Sequence, residues 1–234
     1  MMQIISPHIF HKISGKVLVP ISLLSVLLFA LGIYYALFSS PADYQQGEMV
    51  RVMYVHVPAA WMSLGIYMFI ALCSLLSIVW RLKLAYLFAA SAAPIGASFA
   101  AITLITGALW GKPIWGAWWV WDARLTSMLV LFLLYLAYIA VINAGDDIFR
   151  AEKPAAAIAL LGAINVPIVK FSVDIWNSLH QPSSVLKLSG PAIDNSMLAP
   201  LFIMFSAFIA FFISIWILKV KTLINKVKYD LRSN

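Results

Sequence analysis

Charge is what this sequence has least of. Asp, Glu, Lys and Arg make up 11% of its 234 residues and hydrophobic residues 63%, whereas a soluble domain carries roughly 25% charged residues. With a mean hydropathy of +0.95, the composition excludes a water-soluble globule and implies one membrane domain. Cysteine is nearly absent. The single Cys73 lies inside an apolar run, so no intrachain disulfide and no C-x-x-C redox pair can form. There is no G-x-x-x-x-G-K-[ST] loop, so the chain does not hydrolyse nucleotides by that route. The formal charge of +7 is scattered between apolar runs. It builds no basic face, and nucleic acid is excluded as a partner.

What is present is length of apolar chain. A span needs about 20 apolar residues, because a helix rises about 1.5 Å per residue through about 30 Å of hydrocarbon. Six segments qualify, at about 17–38, 57–80, 84–109, 125–143, 155–170 and 198–219. The expected fold is all-α, with six transmembrane helices and both termini cytoplasmic. The fifth segment is the weakest. It is short and holds Asn165 and Pro167, so a thinned bilayer or unwinding near its outer end is expected. The first follows Lys12 and Lys16 as a signal peptide would, but its run is too long and no A-x-A site follows; it reads as a retained span.

Lys and Arg set the orientation. Eleven of them fall on the side of the termini and five, Arg51, Lys112, Arg124, Lys170 and Lys187, on the other. The eleven-residue side is expected inside. Segments 39–56, 110–124 and 171–197 then face outward, and the basic tail 219–232 lies against anionic membrane lipid.

The middle outward segment concentrates aromatics. Trp110, Trp115, Trp118, Trp119 and Trp121 are five of the nine tryptophans, interleaved with Gly111, Gly116 and Pro113. An interfacial aromatic belt explains one or two per helix end. A ligand platform is the alternative. A helix over 115–122 would align Trp115, Trp118, Trp119 and Asp122 on one face, a wall suited to a large planar apolar ligand. Two of the four histidines, His56 and His180, fall on the same side. Iron in a porphyrin accepts up to two axial imidazoles, and the ring needs apolar walls. The porphyrin's propionates need cations, for which Arg51 and Arg124 are preferred over the lysines because Arg pairs with carboxylates in bidentate fashion; contact with a partner is the alternative role for the two. Asp122 has two structural readings: it caps the fourth helix, or it holds Arg124 or an indole N–H. Either makes it a site-shaping residue. His8 and His11 are read as solvated residues of the cytoplasmic tail. The absence of C-x-x-C-H excludes a covalent c-type haem.

The run WGKPIWGAWWVWDARLT resembles the tryptophan-rich WWD signature of a haem-handling protein family. The contexts of His56, RVMYVHVPAAW, and of His180, PIVKFSVDIWNSLHQP, resemble it too. The likeness covers roughly residues 16–220 and points to the family's small members with six spans. It implies that His56 and His180 are haem-iron ligands and that segment 110–124 is the platform. It implies haem b as the transported ligand, held at the external, periplasmic face of the bacterial cytoplasmic (inner) membrane. It further implies delivery to the periplasmic haem chaperone, cytochrome c maturation protein E. Association with the ABC transporter subunits, cytochrome c maturation proteins A and B, and with the single-span adaptor, cytochrome c maturation protein D, follows as well. On this reading the chain is not an enzyme.

Two other classes compete. A b-type haem oxidoreductase needs histidines facing each other within the spans, and no histidine lies mid-span. A solute transporter or channel is marked by intramembrane charges, and the six runs are nearly free of them.

Overall fold

The computed structural model describes residues 6–145, 147–176, 178, 180, 185 and 193–233; Lys187, one of the expected outward cations, lies outside them. Six helical stretches in the described residues are long and apolar enough to cross a membrane, and no strand is found among these residues.

Helix α1 (Pro7–Tyr34) starts ten residues before the apolar run. Ser6 caps it, its Oγ accepting from the Ile9 N–H at 3.3 Å, and Pro7 takes the first-turn position where a missing N–H does no harm. His8 and His11 therefore sit on helix rather than in a tail, because an apolar run marks lipid and not where hydrogen bonding begins. A π-helical stretch, Tyr35–Ser39, and a 3-10 turn, Glu48–Val52, lead to α2 (Met53–Trp80). Then follow α3 (Lys83–Trp115), α4 (Ala123–Ile142), α5 (Glu152–Ala163), α6 (Asn165–Ile175) and α7 (Asn195–Ser233).

Helices α5 and α6 together form the fifth crossing, Ile148–Ile175, which at 28 residues is not short. The chain breaks its helix at Ile164 instead. Pro167 has no N–H to return to the Ala163 carbonyl. Asn165 uses the break: its Nδ2 donates to the Ser127 carbonyl on α4 at 2.8 Å. Helix α7 likewise continues past the predicted end at 219, so the basic residues there are helical.

Helices α2 and α3 form the centre of the bundle, and α3 packs on α2, α4 and α7. Its residues explain why. Ala89, Ala92, Ala93 and Ala100 are completely buried, and small side chains let membrane helices approach closely. Gly96 leaves room for the Tyr135 ring, which a Cβ would overlap. The Tyr135 hydroxyl then donates to the Ser63 carbonyl at 2.6 Å. Gly162 does the same for Tyr67, whose hydroxyl donates to the Ile158 carbonyl at 3.1 Å. In lipid, polar groups must find partners within the protein. By contrast, α1 packs mainly on α7 and leaves Leu23, Val26 and Leu27 more than half exposed.

Candidate functional site

The last turns of α3 form a wall with two windows. Gly107 faces His56, and a Cβ there would lie 3.1 Å from the His56 Cε1. One turn on, Gly111 faces the ring of Trp115, with 2.8 Å between an added Cβ and Cε3. Trp110 lies edge-on to His56 at 5.6 Å and Trp115 edge-on to His180 at 4.6 Å, centroid to centroid. The helix then stops. Gly116 adopts φ +74 and its N–H returns to the Lys112 carbonyl at 3.0 Å, the left-handed C-terminal cap that glycine suits best.

That stop corrects one expectation. Residues 116–122 are not helical, so Trp115, Trp118, Trp119 and Asp122 do not share a helix face. The tryptophans divide instead. Trp110 and Trp115 line a cavity. Trp118 and Trp121 are 57% and 77% exposed, with the Lys112 ammonium 5.9 Å from the Trp118 ring. Trp119 packs edge-on against Trp121.

Asp122 begins the next helix. It is the N-cap of α4, and Oδ1 accepts from the Leu125 N–H at 2.8 Å. Its other oxygen, Oδ2, accepts from the Ser178 hydroxyl and lies 2.7 Å from His180 Nδ1. Ser178 Oγ also accepts from the His180 backbone N–H at 3.1 Å. Burial works against the Asp122 charge, but the bonds from Ser178, the Leu125 N–H and His180 outweigh it and hold the carboxyl below its usual range. Burial likewise pushes the His180 imidazole below its usual value, against the pull of Asp122. The pair is close enough for an ion pair, but burial favours the neutral ring. The contact is then a hydrogen bond from Nδ1–H to a carboxylate.

His56 reaches the same tautomer by another route. Its Nδ1 is 3.0 Å from Thr106 Oγ1. The Thr106 hydroxyl proton is used on the Ile102 carbonyl at 2.6 Å, so Oγ1 can only accept and His56 must donate. The His56 ring has a second partner in the Thr103 backbone carbonyl, while the side-chain bonds of His180 among the described residues fall on Nδ1. A neutral imidazole whose Nδ1 carries the proton offers its Nε2 lone pair, as metal ligation requires.

Both rings line one cavity of about 330 Å³, within the usual size range of small-molecule sites. Its walls below the histidines are apolar, with Ala60, Trp61 and Leu64 from α2, Leu104 from α3, Met128 from α4 and Val169 from α6. Arg124 and Lys170 add positive charge, joined by a 3.5 Å bond from the Arg124 guanidinium to the Lys170 carbonyl. Arg51 is not among the lining residues. Its guanidinium pairs with Glu48 and donates to the Ala36 carbonyl. Lys170 stands at the cavity where Arg51 was expected.

The family model for "Heme exporter protein C" matches residues 1–233. The chain belongs to the Heme exporter protein C family. The family member from Bradyrhizobium diazoefficiens is 46% identical over 215 residues, covering 92% of this chain and 81% of that one. The Haemophilus influenzae member is 42% identical over 224 residues, 96% of this chain and 90% of that one. A "cytochrome c biosynthesis ccmC-like mitochondrial protein" of Marchantia polymorpha is 49% identical over 181 residues, 77% of this chain and 76% of that one. The WWD resemblance is thus borne out at the level of the family. Heme exporter protein C is the small member that the likeness indicated, also called cytochrome c maturation protein C.

Residues that sequence reasoning missed are those that aim the rings. Thr106 and Ser178 are ordinary in sequence, and nothing in their spacing to His56 or His180 marks them. Gln46, whose Oε1 accepts from the Trp110 indole N–H at 2.8 Å, is equally silent. Gly107 and Gly111, four apart on either side of Trp110, were the one available signal.

Proposed function

We propose that this protein carries haem b as cargo between His56 and His180 and delivers it to a haem chaperone during cytochrome c maturation. The observation that carries the reading is a shared arrangement: two histidines from separate elements line one cavity, each with Nδ1 engaged by a side-chain oxygen, which leaves Nε2 for iron. Iron supplies the coordination when haem is bound. The chain's own part is to fix the rings, exclude water with Trp110 and Trp115, and meet the propionates with Arg124 and Lys170. Arg51, held by Glu48, fits a role at the rim towards partners better than one on haem.

The excess of Lys and Arg at the opposite end supports a reading in which this cavity opens on the external face of the inner membrane. The chaperone, cytochrome c maturation protein E, would approach there. The maturation proteins A, B and D, as ABC transporter subunits and adaptor, would supply ATP hydrolysis that this chain lacks the loop for. The exposed Trp118 and Trp121 would lie in the membrane interface beside the mouth, with Trp119 behind them. The protein performs no turnover of its own on this reading.

The test is direct. Full-length protein purified from cells with intact haem synthesis should show a Soret band. Changing both His56 and His180 to Ala should abolish it and stop loading of the chaperone. Normal loading by the double variant would refute the ligand assignment.

A further inference from the structure

The two histidines are held by different chemistry, and the difference falls where it bears on the iron. His180 Nδ1–H donates to the Asp122 carboxylate at 2.7 Å, and Ser178 fixes that carboxylate from a second direction. The His56 ring meets neutral partners: its Nδ1 is 3.0 Å from the Thr106 hydroxyl, whose own proton lies on the Ile102 carbonyl, and the Thr103 carbonyl is a second, backbone partner. A ring that donates to a carboxylate gains electron density at its far nitrogen and becomes the more basic ligand. A ring that donates to a hydroxyl gains little. The mechanical settings differ as well. His180 is tied through Asp122 to the N-terminus of α4, whereas His56 rests against Gly107, where a ring can tilt without meeting a Cβ.

We infer that the two are unequal haem ligands: His180, backed by Asp122, holds the iron, and His56, backed by Thr106, yields to an incoming ligand. The inference rests on the proposed role in carrying haem and adds which side opens when haem is passed on. Asp122 and Thr106 act through the histidines and are positioning residues. A chaperone that brings its own iron ligand would meet the His56 side.

The test uses the full-length protein in lipid nanodiscs loaded with ferric haem, with two readouts that a merely structural role would not separate. Potentiometric titration reports the ferric preference that a basic ligand confers. Carbon monoxide uptake by the ferrous form reports how fast the weaker histidine leaves. Asp122→Asn keeps the cap on α4, since Asn caps as well as Asp. It should lower the ferric preference about tenfold, a rise of about 59 mV in midpoint for one electron. Thr106→Val should move the midpoint far less but speed carbon monoxide uptake about tenfold, the lower end of second-shell effects. Thr106→Ser should restore the wild-type rate. If Asp122→Asn does not fold, Ser178→Ala should shift the midpoint in the same direction by less. Equal effects of the two changes on both readouts, or the reverse ordering, would overturn the inequality. A wild-type protein that binds no six-coordinate haem would instead overturn the proposed function.

Discussion

Gln46 holds Trp110. Its Oε1 accepts the indole N–H at 2.8 Å, and Gln46 is itself set by Asp43, whose Oδ1 accepts from the Gln45 and Gln46 backbone N–H groups at 2.8 Å each. A turn between α1 and α2 thereby reaches the wall of the cavity and orients the indole that lies against His56. Gln46→Ala removes this bond. A hydrogen bond contributes about 0.5–1.5 kcal/mol, so haem affinity should fall roughly 2–10-fold, read by quenching of tryptophan fluorescence on haem titration. Unchanged affinity would mean that Trp110 holds its place by packing alone.

The two glycine windows predict different failures. Gly107→Ala should displace the His56 ring by a few tenths of an ångström, because the added methyl meets Cε1 at 3.1 Å. The Soret band should then shift while the protein stays folded. Gly111→Ala meets Trp115 at 2.8 Å and should push that indole towards His180, with a larger loss of bound haem. Identical spectra for both variants would show that the windows do not position the rings.

The division of the tryptophans separates wall from surface. Trp110→Leu and Trp115→Leu should each reduce haem retention. Trp118→Leu and Trp121→Leu, which alter exposed indoles, should leave haem retention by the purified protein near wild type. Equal losses from all four would restore the single platform that the sequence led us to expect.

Acid should weaken the protein before it unfolds. The folded state lowers the His180 value below that of the free imidazole, so the unfolded chain binds more protons as the pH falls through about 6.5. Stability is thus fully present above that value and declines below it, down through the lowered folded value. Thermal denaturation of the haem-free protein between pH 7.5 and 5.5 should show this slope, and His180→Gln should reduce it. An equal slope in that variant would assign the titration elsewhere.

Away from the site, Gly96→Ala should destabilise by about 1–3 kcal/mol, the usual result of overfilling a packed core. The methyl has no room beside Tyr135, which is completely buried. Detergent-resistant folding can be followed by near-ultraviolet circular dichroism, and an unaltered melting point would contradict the close approach of α3 and α4.

Six crossings were legible in the sequence because hydrocarbon thickness imposes a length that composition alone reveals. Their ends were less so. Helix α1 begins at Pro7 and α7 runs on to Ser233, since Lys residues are compatible with helix and an apolar count does not register them. The fifth crossing looked short for the same reason: Lys170 ended the apolar run while α6 continued to Ile175. The histidines and tryptophans were visible as residue types on one side of the membrane. Their division into wall and surface was not, because it turns on one positive φ at Gly116. A glycine among five tryptophans reads as a spacer until the backbone shows it ending a helix. Thr106, Ser178 and Gln46 were hidden for a deeper reason. Their partners lie 50, 56 and 64 residues away in sequence, beyond the reach of any local pattern.

Gly107 and Gly111 set a gauge. Four residues of helix advance about 6 Å along the axis, and that interval fixes where the His56 ring and the Trp115 ring meet α3, one above the other. No loop length enters it. A shift of the 43–47 turn would move Gln46 at the cavity wall, but it cannot alter this spacing. The calibre of the cavity at this wall is therefore set by one rigid helix, whatever the lengths of the segments that connect the others.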